Sequence, residues 1–164
     1  SNLPHKNAEG IIRAYERYCS KTDKPLKLRI IGIADMAQYH LSQDVGNNII
    51  CYKYIESNEE MHHMIAAAKI FLFLSLVEGF GFPPIEAMQL GTPVVCSGVS
   101  SLPEVVGGAA ILVDPCEPDE VAEALVKLQN DENKQQELIV KGYHNVERFS
   151  WDKTANKYAD IVMK

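Results

Sequence analysis

The 164-residue chain has no apolar run long enough to span a membrane and no signal-peptide pattern at its start. Its four cysteines, Cys19, Cys51, Cys96 and Cys116, stand far apart and form no C-x-x-C pair. That argues against a zinc site or a disulfide framework and points to reduced thiols in a cytoplasmic protein. Cys51 and Cys96 sit in strand-like runs and read as small core residues. Basic residues are outnumbered: 16 Lys and Arg against 22 Asp and Glu give a net charge of −6, so no nucleic-acid footprint is expected. There is no D-x-D, no Walker lysine-serine pair and no G-x-S-x-G elbow. Gly79-Phe80-Gly81 falls short of a dinucleotide fingerprint, because Pro84 stands where the third glycine belongs and the segment lies mid-chain.

What the chain does have is centred on residues 70–88. Ile70 to Leu74 is an apolar run that reads as a buried strand. Glu78-Gly79-Phe80-Gly81 follows as a loop whose glycines permit positive φ or close approach to a ligand. Pro83 and Pro84 suit the first positions of a helix running to about Leu90, with Gly91 ending it and Glu86 expected in its first turn. Strand, glycine loop and helix N-terminus make an anion-binding arrangement. The carboxylates of Glu78 and Glu86 then need a separate job, and acceptor-only groups suit the hydroxyls of a ribose or a sugar. Together these features describe a sugar nucleotide. A plainer account has Glu86 complementing the helix dipole and Glu78 in solvent.

The rest of the chain alternates. Residues 8–20 form an amphipathic helix with Ile11, Ile12, Tyr15 and Cys19 on one face. Leu26–Ile33 and Asn48–Ile55 read as strands, with a helix from a cap at Asp35 to about Ser42 between them. Ser57-Asn58-Glu59-Glu60 is a capping box for a helix that turns Met61, Met64, Ile65 and Ala68 inward. His62 and His63 on that helix fit a surface better than a metal. Thr92–Ser97, with an edge-tolerated Pro93, and Ala109–Val113 read as strands, flanking a short helix from Pro103 to Val106. Helices at 119–129, 132–149 and 151–163 close the chain, the last capped by Ser150. The fold class is α/β, a Rossmann-like parallel sheet with helices on both faces and C-terminal helices appended.

Glu78-Gly79-Phe80-Gly81-Phe82-Pro83-Pro84-Ile85-Glu86-Ala87-Met88, then Gly91-Thr92-Pro93-Val94-Val95, then Leu102-Pro103-Glu104-Val105-Val106-Gly107, resembles the retaining GT-B glycosyltransferases of the "glycosyl transferases group 1" type (glycosyltransferase family 4). Their signature is two glutamates with seven residues between them, as Glu78 and Glu86 have. The resemblance runs from His5-Lys6-Asn7 to Phe149-Ser150-Trp151. It implies that residues 3–164 are the C-terminal, donor-binding half of such an enzyme, with the N-terminal acceptor domain on another part of the protein. Glu78 would contact the donor sugar, and Lys6 would neutralise the departing diphosphate. Glu86 would hold the ribose, and the backbone of Gly79, Phe80 and Gly81 would face sugar and diphosphate. Tyr54 and Ile55 would lie near the base, and Ser100, Ser101 and Leu102 would form a phosphate-side loop. No cofactor and no metal are implied. The donor would be a UDP- or GDP-linked sugar, and any membrane contact would belong to the other half. The chain departs from the family in carrying His5 before Lys6 where an arginine is frequent, and Leu74 where a proline often precedes the serine. The base-side loop Ile55-Glu56-Ser57 looks one residue long, and the domain's first strand would precede Leu3. Two other readings stay open at this level: a nucleotide-sugar-binding module without transfer activity, and a GT-B-like sugar-nucleotide epimerase.

Overall fold

A computed structural model describes residues 3–34 and 36–163. Helix α1 (Ala8–Ser20) begins where Asn7 turns its side chain back to accept from the Gly10 N–H at 3.1 Å. It buries Ile12, Ala14, Tyr15 and Tyr18. The two tyrosines keep their hydroxyls satisfied inside the fold. Tyr15 donates to the Leu26 carbonyl at 2.7 Å, and Tyr18 donates to the Gln129 side chain.

Strand β1 (Leu28–Ile31) pairs in parallel with β2 (Ile49–Tyr52), Leu28 opposite Ile49. Between them a single 3-10 turn (Ala37–Tyr39) and a short α2 (Gln43–Gly46) replace the expected helix, because His40 takes a left-handed φ of 46° that no helix continues through. The expected cap, Asp35, lies outside the described residues. Helix α3 (Asn58–Ala66) follows, with Ser57 accepting from the Glu60 N–H as the capping box anticipates. Strand β3 (Phe71–Phe73) pairs in parallel with β4 (Val94–Ser97), which pairs on its other side with β5 (Ala110–Val113). All four residues of β4 are buried. Pro93 is therefore not on an edge strand; it precedes the central one, where only its carbonyl is used, accepting from the Phe71 N–H at 2.8 Å.

Helices cover both faces of this three-stranded sheet. On one side Val95 and Val113 pack with α1 and with α6 (Pro118–Asn130). On the other, Val94 and Cys96 pack with α4 (Phe82–Gln89) and α5 (Leu102–Val106). Helix α7 (Glu132–Val146) lies across α4, where Gly142 lets the helices close until an added Cβ would come within 3.2 Å of Met88. It stops three residues earlier than its pattern suggests, because Arg148 and Phe149 tighten into bonds to the Asn145 and Val146 carbonyls. Helix α8 (Trp151–Val162), capped by Ser150, buries none of its residues. Among the described residues no helix is long and apolar enough to cross a membrane.

The α/β architecture is as expected, but no ladder joins β1 to β3. A cleft of about 630 Å³ opens between the two sheets, with largely apolar walls from β1, from β3 with its Phe71 and Phe73, and from Met61, Met64 and Ile65 of α3. Stability therefore rests on the layers around β4. Leu128 of α6 is 1% exposed within that core. Leu128→Ala is expected to cost about 2–5 kcal/mol, read from the midpoint of chemical denaturation.

Candidate functional site

Parallel strands bring their carboxyl ends to one edge, so the loops after β3, β4 and β5 converge. The segment ahead of α1 is fastened onto that edge. The Leu76 N–H, just past β3, donates to the His5 carbonyl at 2.8 Å. Asn7, at a left-handed φ of 55°, donates its side-chain amide to the Leu74 carbonyl at 3.1 Å and to the Pro115 carbonyl at 3.0 Å. Lys6, between them, has its Nζ 2.5 Å from Glu78 Oε1 and 5.5 Å from the centre of the Phe73 ring. Both partners are largely covered, with 28% of the Lys6 side chain and 13% of the Glu78 side chain exposed. Burial pushes the Glu78 carboxyl up, but hydrogen bonds from Lys6 and Ser75 outweigh it, and His5 adds a smaller pull, so the group titrates below its ordinary range.

The loop carrying Glu78 is braced from β4. Ser100, at φ 60°, accepts from the Glu78 N–H at 3.2 Å and donates to the Glu78 carbonyl at 2.9 Å. Ser101 shares its hydroxyl hydrogen between the Glu78 and Phe80 carbonyls, each at 2.9 Å. Both hydroxyls thus hold the glycine loop in place. Gly79 faces open space. Gly81, at φ 103°, is pressed against Leu102, where a Cβ would meet the side chain at 2.5 Å. Phe80 is anchored between Phe82 and Phe149, with ring centroids 4.8 and 5.2 Å away.

Gly81 caps α4, so Phe82 is the first residue of the helix. Pro83 and Pro84 carry no N–H, which leaves Phe82 as the one donor of its first turn. The helix thus presents fewer free N–H groups at its start than an ordinary helix N-terminus does. The same start places Glu86 in the second turn, not the first as expected, because the chain turns helical one residue before the prolines. Glu86 is exposed and lines the cleft together with Lys6, Ser75 and Pro83.

The structure thus gathers Lys6, Glu78, Gly79, Phe80, Gly81, Ser100 and Ser101 at one edge, with Glu86 on the adjoining cleft. Leu102 is fully buried and supports Gly81 from beneath. Tyr54 and Ile55 stand apart, past the end of β2, with Tyr54 74% exposed and the Ile55 side chain buried. Among the described residues neither forms a hydrogen bond with the Lys6–Glu78 group. Two residues that organise the site, Asn7 and Ser75, carry no motif. An asparagine directly before an amphipathic helix is an N-cap signal, but its bonds to Leu74 and Pro115 are visible only in three dimensions.

The profile of the family described as "Glycosyl transferases group 1" matches residues 2–145. The chain belongs to that family. It is 32% identical to the O-antigen chain mannosyltransferase B of Escherichia coli, over 94% of this chain and 43% of that protein. It is 40% identical to the MMP alpha-(1->4)-mannosyltransferase of Mycolicibacterium hassiacum, over 100% of this chain and 41% of that protein. Its fold matches the sucrose-phosphate synthase of Thermosynechococcus elongatus at a TM-score of 0.80, with 24% identity, over 98% of this chain and 42% of that one. The group 1 chain thus spans less than half the length of the relatives it matches.

A carboxyl held low by folding stabilises the fold above its unfolded value and loses that contribution as pH falls through the folded one. On acidification below 4.5, the wild type is therefore expected to lose more stability than Glu78→Gln, measured as the drop in Tm of each protein with pH. Parallel curves would mean that the carboxyl titrates alike folded and unfolded.

Proposed function

We propose that residues 3–164 form the donor-binding half of a retaining, metal-independent glycosyltransferase that moves a sugar from a nucleoside diphosphate sugar to an acceptor. The observation that carries this reading is the juxtaposition of a cation, an open glycine loop and two carboxylates at one edge of a parallel sheet. Lys6 is paired with Glu78 at 2.5 Å beside the unobstructed Gly79, and Glu86 lies on the adjoining cleft with Lys6. A leaving diphosphate needs positive charge and fixed N–H donors where its charge develops. Lys6 and the amides of Gly79, Phe80 and Gly81 supply those. Glu86 accepts from the ribose hydroxyls and Glu78 from the donor sugar. Ser100, Ser101 and Leu102 act as the phosphate-side support of this loop, holding it from behind. Tyr54 and the Ile55 backbone form the base side of the site.

Retention and independence from metal rest on the paired-glutamate block and the family. The mannosyltransferase names of the relatives favour a hexose donor linked to UDP or GDP. The acceptor domain and any peripheral membrane contact belong to the part of the protein outside these residues, in line with the chain's share of its relatives' length.

Titration of the protein with UDP, GDP and ADP, and then with the matching nucleotide sugars, tests this. One diphosphate is expected to bind selectively. Glu86→Gln is expected to weaken the nucleotide by about 1.5–3 kcal/mol through loss of charge-assisted bonds; unchanged affinity for nucleotide and nucleotide sugar alike would remove Glu86 from the ribose. Lys6→Ala is expected to weaken a nucleoside diphosphate more than the corresponding nucleoside. Equal losses would take Lys6 off the phosphates.

A further inference from the structure

We infer that Glu78 makes the site discriminate a loaded donor from its spent nucleoside diphosphate, by holding Lys6 until a sugar takes its place. The inference rests on the donor-site reading above and concerns which ligand the site prefers.

With nothing bound, the Lys6 ammonium is compensated by a carboxylate at 2.5 Å. The pair is fixed from every side. Asn7 pins the backbone next to Lys6, Ser75 donates to the Glu78 carboxylate, and Ser100 and Ser101 hold the Glu78 backbone. An arriving diphosphate therefore meets a cation already in use, with a carboxylate immediately behind it. Drawing Lys6 onto phosphate oxygens leaves Glu78 largely buried, less well paired and next to a second anion, which is costly.

A nucleotide sugar offsets that cost, because its sugar brings hydroxyl donors that an acceptor-only carboxylate can use. A nucleoside diphosphate brings none to Glu78, since its only sugar hydroxyls are those of the ribose, which fall to Glu86 in the reading above. Glu78 then draws Lys6 back, and the diphosphate loses its counter-charge. One carboxylate thus favours the substrate and disfavours the product at the same cation. Glu78 is in this sense a specificity-determining residue, and it acts on the product through Lys6.

The test uses the full-length protein and the best-binding diphosphate among UDP, GDP and ADP, with its nucleotide sugar. Calorimetric affinities are measured for wild type, Glu78→Gln, Lys6→Ala and the double variant, with Tm recorded for each. Glu78→Gln is expected to tighten the nucleoside diphosphate roughly fivefold, the worth of a released ion pair, and to leave the nucleotide sugar no tighter. In the Lys6→Ala background that gain is expected to disappear, as a double-mutant cycle requires of two coupled groups. A weakened or unchanged diphosphate in Glu78→Gln, at unaltered Tm, overturns the inference while leaving the donor site standing. A gain of the same size without Lys6 also overturns it, since Glu78 would then act by direct repulsion. Should the gain in Glu78→Gln come with a lowered Tm, Glu78→Asp, which keeps the charge, must restore the wild-type preference or the inference fails. Absence of binding to wild type and variants alike refutes the donor-site reading and the inference together.

Discussion

The ladder that β4 makes with β3 on one side and β5 on the other sets the position of everything else. All four of its residues are buried, Val95 in one core and Val94 and Cys96 in the other, and helices from opposite sides close on it. Because the three strands are parallel, the turns that leave them emerge at one edge. The glycine loop, the serine pair and the Pro115 turn can therefore touch each other and the segment ahead of α1. A mixed sheet would have sent one of these to the far end.

The charge pair at that edge is held in place by neutral groups. Lys6 and Glu78 face each other because amide and hydroxyl bonds from Asn7, Ser100 and Ser101 fix the two backbones that carry them. The glycines are spent differently: Gly81 turns the chain into α4 against Leu102, while Gly79 keeps the approach open. Aromatic packing of Phe80 on Phe149 ties the loop to the end of α7. Residues far apart in sequence thus supply the rigidity that a loop of small residues lacks.

Much of this was legible from the chain. Helix α1, the Ser57 box and the strand–loop–helix at 70–90 announce themselves through periodicity, capping residues and proline. The carboxylates Glu78 and Glu86 stood out because an anion site has no use for them unless hydroxyls follow. Other features were hidden for physical reasons. Gly81 caps α4 so that the helix starts at Phe82, one residue ahead of the prolines that mark it, and this one-position shift carries Glu86 from the first turn into the second. The helix sought after β1 is interrupted by a left-handed His40, which local pattern does not encode. That β1 and β3 share no ladder is a matter of pairing, about which periodicity is silent. Ser100 and Ser101 read as part of a phosphate-side loop; that their hydroxyls also brace the backbone at Glu78 and Phe80 is visible only in three dimensions.

Asn7 bears on how the molecule is held. Its two carbonyl acceptors lie 67 and 108 residues along the chain, one beyond β3 and one beyond β5. Each of these contacts closes a long stretch of chain, and the entropy of that closure is borne by the edge as a whole. One side chain thus fastens the segment carrying the cation to two turns at once, and its loss would loosen Lys6 while leaving the ladders of the sheet untouched.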